Sequence, residues 1–459
     1  MTERFDAIVI GTGQAGPSLA VRLGAAGRRT AILERKLVGG TCVNTGCIPT
    51  KTLIASARAA HVARRAPDFG VTIGGAVGVD MARVKARKDG VVAQSNGGVT
   101  NWLKNATNVT LIEGHGRFET PTTVRVGNRL LEAPQVFINT GGRPSVPKLE
   151  GVGDVPFLTS TGMMSVDYLP EHLIVVGGSY IGLEFAQMYR RFGSRVTVVE
   201  MAPRIITRED EEISAAIQKM LEDEGIAFRL GAKCVKLEKR GNGVAIHASC
   251  EEEPREIEGS HVLLAVGREP NSQDLGLDKA GVKTNARGYI EVDDELRTST
   301  PNIWALGDVN GRGAFTHTAY NDYEIVAGNL LDNDHRRVSD RIPVYALFTD
   351  PPLARVGMTE REVRESKRPA LAGKMMMARV GRARERSETQ GFMQVLVDEA
   401  TSKILGAGLL GIEADEAIHC IVDVMTAGQP YTAISRSVHI HPTVAELIPT
   451  LLGSLKPLR

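Results

Sequence analysis

Cysteine is scarce in this chain of 459 residues: Cys42, Cys47, Cys234, Cys250 and Cys420 are too few and too scattered to staple so long a chain with disulfides. No run of about 18 apolar residues occurs, which excludes an ordinary membrane-spanning helix. An excess of one charge is also missing, since 55 Lys and Arg face 54 Asp and Glu and no dense basic block stands out. An extended nucleic-acid footprint and an acidic solvating tail are therefore excluded. The opening MTERFDAIVIG enters a strand pattern without the basic-then-apolar order of a secretory signal, so the expected location is cytoplasmic. The expected partners are small molecules or protein, with no nucleic acid and no membrane.

Apolar residues make up 42% of the chain, enough for about three domains of typical size. Glycine is plentiful at 49 residues, but it punctuates strand ends and turns and forms no low-complexity tract. Two stretches repeat one order of elements. Residues 5–34 read as an apolar strand (Phe5 to Ile10), a glycine turn, a helix, and a strand from Thr30 to Leu33 closed by Glu34. Residues 173–200 follow the same order: Leu173 to Val176, a turn from Gly177 to Gly182, a helix, then Val196 to Val199 closed by Glu200. Ile181, Phe185, Met188 and Phe192 mark the buried stripe of the second helix. Each stretch is a βαβ unit, which predicts two nucleotide-binding lobes. The segments INTGGRPSVP (138–147) and PNIWALGDVNG (301–311) read as buried strands ending in glycine turns. From about residue 339, strand-like runs (Met393 to Val397, Ile404 to Leu409) and a helical run from Ala414 to Ala427 predict a separate α+β domain.

In G-x-G-x-x-G the first glycine permits a tight turn, the second lets backbone approach a pyrophosphate, and the third lets helix pack on strand. Gly11, Gly13 and Gly16 meet this pattern, with the acid Glu34 eighteen residues beyond. The second copy has Gly177, Ser179 and Gly182, with serine in the middle position and Glu200 again eighteen residues on. An acid there accepts from a ribose hydroxyl and repels a 2′-phosphate, which favours NADH; nearby Arg204 keeps NADPH as the alternative. Cys42 and Cys47 lie in GGTCVNTGCIPTK at the start of a predicted helix, where a thiolate is favoured and a pair five apart can be joined. By themselves they suit a redox pair or two unconnected core thiols, and the two dinucleotide lobes favour the pair. Near the C-terminus His441 precedes Pro442 with Glu446 five residues on, a suitable acid and base with an orienting carboxylate, or else a surface turn. The peptide before Pro442 is a candidate for the cis form.

GTGQAG, GGTCVNTGCIPTK, GGRPSVP, GGSYIGLE, VGREPN, ALGDV and HIHPTVAE occur in one order along nearly the whole chain. In these motifs the chain resembles the flavoprotein disulfide reductases, the group containing lipoamide dehydrogenase, glutathione reductase and mercuric reductase. The resemblance implies an α/β fold with two Rossmann-like domains, for FAD and NAD(P), and a C-terminal α+β dimerisation domain. The implied division is 1–145 (FAD, first segment), 146–266 (NAD(P)), 267–338 (FAD, second segment) and 339–459 (dimerisation).

The same resemblance places FAD against Gly11, Gly13, Gly16, Glu34, Gly40, Thr41, Lys51, Gly116, Thr140, Gly141, Asp308 and His317. It places NAD(P) against Gly177, Ser179, Tyr180, Gly182, Glu200 and Gly267, with Tyr180 covering the nicotinamide pocket. Lys51 would lie beside the flavin and pair with Glu184. Cys47 would be the thiol nearest the flavin and Cys42 the interchange thiol facing substrate. His441 and Glu446 would form the acid–base pair, reaching into the site of a second subunit in a homodimer. Electrons would pass from NADH through FAD and a Cys42–Cys47 disulfide to a small-molecule acceptor. The tail ELIPTLLGSLKPLR has no cysteine pair of the kind that hands on metal in mercuric reductases. FTHTAYNDYEIVAGNLL and TDPPLARVGMTE resemble the mercuric-reductase-like branch more than lipoamide dehydrogenase. The acceptor expected on this basis is oxidised sulfur or a soft oxidant such as hypothiocyanous acid. Lipoamide dehydrogenase, a mercuric reductase without that pair, and a quinone diaphorase are the alternatives.

Three features receive plainer readings, and no metal site is expected. Met375, Met376 and Met377 alternate sides of a strand and fill core. His439 and His441 would share a strand face but lack a third ligand. Cys234 and Cys250 read as buried structural thiols.

Overall fold

The computed structural model of the chain describes residues 2–250 and 253–458. Among them, three sheets carry most of the architecture. The first contains, in spatial order, Ile303–Ala305, Gln135–Ile138, Ala7–Ile10, Thr30–Glu34 and Val109–Glu113, with every neighbouring pair parallel. The second contains Leu158–Thr159, His261–Leu264, His172–Val176, Arg195–Val199 and Ala227–Arg229, again all parallel. The third is antiparallel and six-stranded, built from residues 344–457. Ile303–Ala305 joins the first sheet after the second has been completed, so the chain leaves the first lobe and returns to it. This is the expected α/β fold with two Rossmann-like lobes and a C-terminal α+β unit. The strand runs AIVI and HLIVV are almost wholly buried because parallel strands have both faces covered. No helix among the described residues is long and apolar enough to cross a membrane.

The glycine turns do in space what the motif requires. Gly11 has φ +108°, and a Cβ on it would stand 2.3 Å from Asn139 O. A Cβ on Gly16 would stand 2.2 Å from Gly11 O, so only glycine lets this helix sit on its strand. The second lobe repeats the arrangement, with Gly177 at φ +114° and a Cβ on Gly182 only 2.0 Å from Gly177 O. Its middle position tolerates serine: Ser179 is exposed at the helix N-cap, and the tight spot moves to Gly178, which packs on the Glu200 side chain.

The helix Tyr180–Phe192 buries Phe185, Met188 and Phe192 as the stripe predicts, but it also buries Glu184, Gln187 and Arg191. Those three polar residues share the flank about 100° round the helix from the stripe, outside the face that the periodicity marks as buried. The helix is covered there by Cys47–Arg64, Glu224 and the segment around Asp350, and each polar group has partners in them. Other differences are local. Cys42 and Cys47 do not begin one helix: Cys42 lies within the short helix Gly40–Asn44, the chain breaks at Thr45 and Gly46, and Cys47 is the first residue of the next helix. The helical run expected over 414–427 divides at Ile418 into Ala414–Ala417 and His419–Thr426. His439 and His441 lie in a loop, not on a strand, and His439 bonds Ala445 O through its ring. Met375 and Met377 are buried with Met376 outward, the expected alternation. The side chains of Cys234 and Cys250 lie outside the described ones.

Gly182→Val should lower the thermal midpoint of the protein, because overpacking of this kind costs about 1–3 kcal/mol. Gly153→Ala, where a Cβ meets open space, should leave the midpoint unchanged, and scanning calorimetry on both variants checks the contrast.

Candidate active site

A cleft of about 290 Å³ opens where the strands of the first sheet end. Gly11, Gly13, Glu34, Gly40, Thr41, Gly116, Thr140 and Gly141 all line it, and Gly16 supports its floor. Glu34 accepts hydrogen bonds from the backbone N–H of Thr12 (3.2 Å) and Lys36 (2.8 Å) and from the Thr12 hydroxyl. A carboxylate has about four acceptor positions, so one remains for a ribose hydroxyl. A glycine cradle that a Cβ would fill, closed by an acid aimed along it, fits the adenosine and pyrophosphate of a dinucleotide. Lys51, Asp308 and His317 do not line this cleft. Asp308 lies 3.4 Å from Arg268 Nε, and burial pushes its carboxyl up while Arg268 opposes the shift. The His317 ring bonds Val344 O at 2.7 Å, so its ring is committed to a neighbouring strand.

The second lobe repeats the carboxylate geometry. Glu200 accepts from Gly178 N (2.6 Å) and Ala202 N (2.8 Å), as Glu34 does from Thr12 and Lys36. Arg204, the residue that kept NADPH open, instead donates to the carbonyls of Glu209 (2.8 Å) and Thr207 (3.0 Å). Gly267, at φ +129°, is exposed just beyond the strand His261–Leu264, on the rim of this lobe.

Near the two lobes' junction the cysteines meet a charged and hydrogen-bonding frame. Both thiols are free. Lys51, one turn beyond Cys47 on the same helix, donates to both oxygens of Glu184 at 2.7 Å. The Thr316 hydroxyl, at the start of the helix Thr316–Ala327, lies 3.1 Å from Cys47 Sγ. Chiefly the hydrogen bond from Cys42, helped by Thr316 and by the Lys51 charge, holds the Cys47 thiol down to about 6. Cys42 is driven far above the ordinary thiol range by that same bond, by burial and by the Cys47 charge. The pair therefore holds one proton near neutral pH, carried by Cys42, and one thiolate, on Cys47. Thr316 was missed by the sequence reading, and no spacing rule could link it to a cysteine 269 positions away. Cys420 is a different case, half-buried with its thiol pushed up to about 11 by burial and donating to Ala417 O.

His441 and Glu446 are paired, with Nδ1 2.8 Å from Glu446 Oε2. An ionised carboxylate only accepts, so Nδ1 carries the hydrogen and Nε2 is left free. The His441 side chain is 79% exposed in the single chain, beside Val438 at 99% and Ile440 at 79%, and the His441–Pro442 peptide is cis. Among the described residues, no contact joins His441 to Cys42 or Cys47. Tyr180 sits at the mouth of the second glycine turn, its ring against Tyr345 and Phe315.

Two nucleotide folds that meet beside a poised dithiol define a flavoprotein disulfide reductase, and comparison with known proteins agrees. The pyridine nucleotide-disulphide oxidoreductase family matches residues 5–322, and the family's dimerisation domain matches residues 344–452. The chain belongs to this family, whose members depend on FAD and use NAD(P)H. It is 37% identical over 461 residues to the probable pyridine nucleotide-disulfide oxidoreductase RclA of Escherichia coli, covering 99% of this chain and 100% of that protein. It is 33% identical to a mercuric reductase of Streptomyces lividans (97% and 94% covered) and 34% identical to a dihydrolipoyl dehydrogenase of Thermus scotoductus (96% and 95%). A solved structure described as the Cu(II) complex of HOCl-induced flavoprotein disulfide reductase RclA from Escherichia coli superposes with a TM-score of 0.90 at 36% identity, covering 99% of both chains.

In the reduced protein, alkylation of Cys47 should speed up as pH rises through about 6, the point at which its proton is lost. Thr316→Val and Lys51→Met each remove a group that favours the thiolate and should move that midpoint upward by about one unit. Peptide mass spectrometry of iodoacetamide-treated protein across pH reads the shift.

Proposed function

We propose that this oxidoreductase draws on NADH in preference to NADPH and passes electrons through Cys42 and Cys47 to a small oxidised-sulfur or soft oxidant, with hypothiocyanous acid as the first candidate. The observation that carries the reading is the frame around two free thiols: the Thr316 hydroxyl stands 3.1 Å from Cys47 Sγ, and Lys51, one turn on, is held by both oxygens of Glu184 at 2.7 Å. Its likeness to a reductase described as HOCl-induced supports an oxidant as acceptor. Bound FAD would supply the two-electron transfer between nicotinamide and the cysteine pair. The residues that would hold it are those of the first cleft, and Lys51, Asp308 and His317, which lie outside that cleft, would meet the part of the cofactor that extends beyond it. On the other lobe, Glu200 receives the NADH ribose, and Arg204 is engaged by backbone carbonyls instead of being left for a 2′-phosphate.

The chemistry of the dithiol balances without a further reductant. Cys42, once deprotonated, attacks the sulfur of hypothiocyanous acid, breaking its O–S bond and expelling hydroxide, which leaves as water, so that Cys42 carries a sulfenyl thiocyanate whose later leaving group is thiocyanate. The Cys47 thiolate then displaces that sulfur, closing the Cys42–Cys47 disulfide as the acceptor gains two electrons. His441 takes the Cys42 proton through its free Nε2 and returns it to the leaving group, held in register by Glu446. Because His441 projects outward among exposed apolar residues, the reading assigns it to the site of a second copy in a homodimer. The dimer works in the cytoplasm. A dihydrolipoyl dehydrogenase is the second reading, favoured by the 34% identity to the Thermus scotoductus enzyme.

Anaerobic NADH consumption should be fast with hypothiocyanite and should vanish in Cys42→Ser. Faster turnover with lipoamide would favour the second reading, and equal quinone turnover in both proteins would reject the dithiol route. Glu200→Ala should narrow the preference for NADH over NADPH, measured as the ratio of the two kcat/KM values. Mixing Cys42→Ser with His441→Ala subunits should restore about a quarter of the activity, because half of randomly paired dimers carry one intact shared site. No recovery on mixing would place His441 in its own subunit's site.

A further inference from the structure

The hydroxyls of Tyr180 and Tyr345 converge on one oxygen, Oε1 of Glu209, and they do so unequally. Tyr345 donates at 2.6 Å and Tyr180 at 3.5 Å. The first is a good hydrogen bond, and the second lies at the limit at which one exists. Both phenols remain donors at neutral pH, because burial and the Glu209 charge push them up, Tyr180 to about 12. The Tyr180 ring rests on Tyr345 with centroids 5.7 Å apart, and Tyr345 stacks in turn on Phe315 at 5.7 Å.

Glu209 is not free to move toward Tyr180. Its side chain is fully buried, and its other oxygen is held by Arg355 through Nε at 3.1 Å and Nη2 at 2.5 Å. Arg355, 1% exposed, also reaches Asp210 at 3.2 Å, and Asp210 accepts the backbone N–H groups of Glu360 and Arg361. The loop that starts at Glu200 and ends at Asp210 is thus pinned to the C-terminal sheet. Arg355 Nη1 is buried and has no partner among the described residues, so the guanidinium serves the Glu209 contact while one of its donors goes unmet.

We infer that Glu209, anchored by Arg355 and shared with Tyr345, is a positioning residue that sets how firmly Tyr180 rests over the nicotinamide pocket. The inference depends on the reading of Tyr180 as the cover of that pocket. Tyr345 keeps the cover loose. It takes the close place at Oε1 and leaves the Tyr180 hydroxyl a long contact to that carboxylate and a bond to Tyr345 itself, weaker than a close bond to a charged oxygen, so the ring swings aside readily when the nicotinamide enters.

Tyr345→Phe keeps the ring stack and frees Oε1 for Tyr180, which should hold the cover shut. Binding of NAD+ to the oxidised holoenzyme, measured by calorimetry, should weaken about fivefold, the change that one net hydrogen bond supports. In a Tyr180→Phe background the same substitution should have no effect. An equal effect in both backgrounds, or none in either, overturns the latch. Tyr180→Ala tests the cover separately: tighter NAD+ binding supports it, and unchanged binding overturns the cover and the latch together.

Discussion

The Glu184 carboxylate is where three parts of the chain meet. It sits on the helix behind the second glycine turn, accepts both hydrogen bonds from Lys51 of the Cys47 helix, and accepts the backbone N–H of Phe348 from the edge of the C-terminal sheet at 3.0 Å. Lys51 also stands over the Phe348 ring at 4.3 Å. Glu184 is 6% exposed, and a buried carboxylate is tolerated only when paired and hydrogen-bonded, so all three elements must arrive together for the charge to be acceptable. Loss of one partner from such a pair typically costs about 3–5 kcal/mol. The position of Cys47, one turn before Lys51, depends on the same contact.

Around that contact, the helix Tyr180–Phe192 acts as a strut between the lobes. Gln187 and Arg191 follow Glu184 along its buried polar face and bind Asp350 and Glu224, while Arg58 of the Cys47 helix binds Asp350 and Glu388. A rigid mount of this kind suits a dithiol whose two sulfurs must differ in proton affinity. The difference comes from placement: the Thr316 hydroxyl reaches both sulfurs, but the Lys51 charge acts on Cys47, and on Cys42 the partner thiol and burial outweigh Thr316. His441 and Glu446 bond each other in the single chain, and no contact among the described residues joins them to Cys42 or Cys47.

The two nucleotide lobes solve one backbone problem twice. In each, an acid at the end of the second strand bonds the glycine turn on one side and the backbone two residues on, tying turn to strand and leaving acceptor capacity for a ribose. They differ beyond that point. The first lobe opens into a defined cleft, whereas the loop after Glu200 is bound to the C-terminal sheet through Glu209 and Asp210. The second lobe also carries Tyr180 at the mouth of its glycine turn, its ring against Tyr345 and Phe315.

Local sequence determined the elements whose physics is local. The glycine turns, the buried parallel strands, the acids Glu34 and Glu200, and the alternation at Met375 to Met377 follow from steric limits and periodicity within about thirty residues. The pairing of Lys51 with Glu184 and the separate roles expected of Cys42 and Cys47 were legible only through resemblance to a family, because no spacing rule sets Lys51 against a glutamate in another lobe. Only the tertiary structure decided which polar residues are buried and what they touch. Glu184, Gln187 and Arg191 occupy a helix flank outside the face that the periodicity marks as buried, Thr316 reaches Cys47 from a distant helix, and Glu209 gathers Arg355, Tyr345 and Tyr180 from separate elements. Such groups carry no hydrophobic period, and their burial becomes acceptable only after distant partners are brought within hydrogen-bonding range.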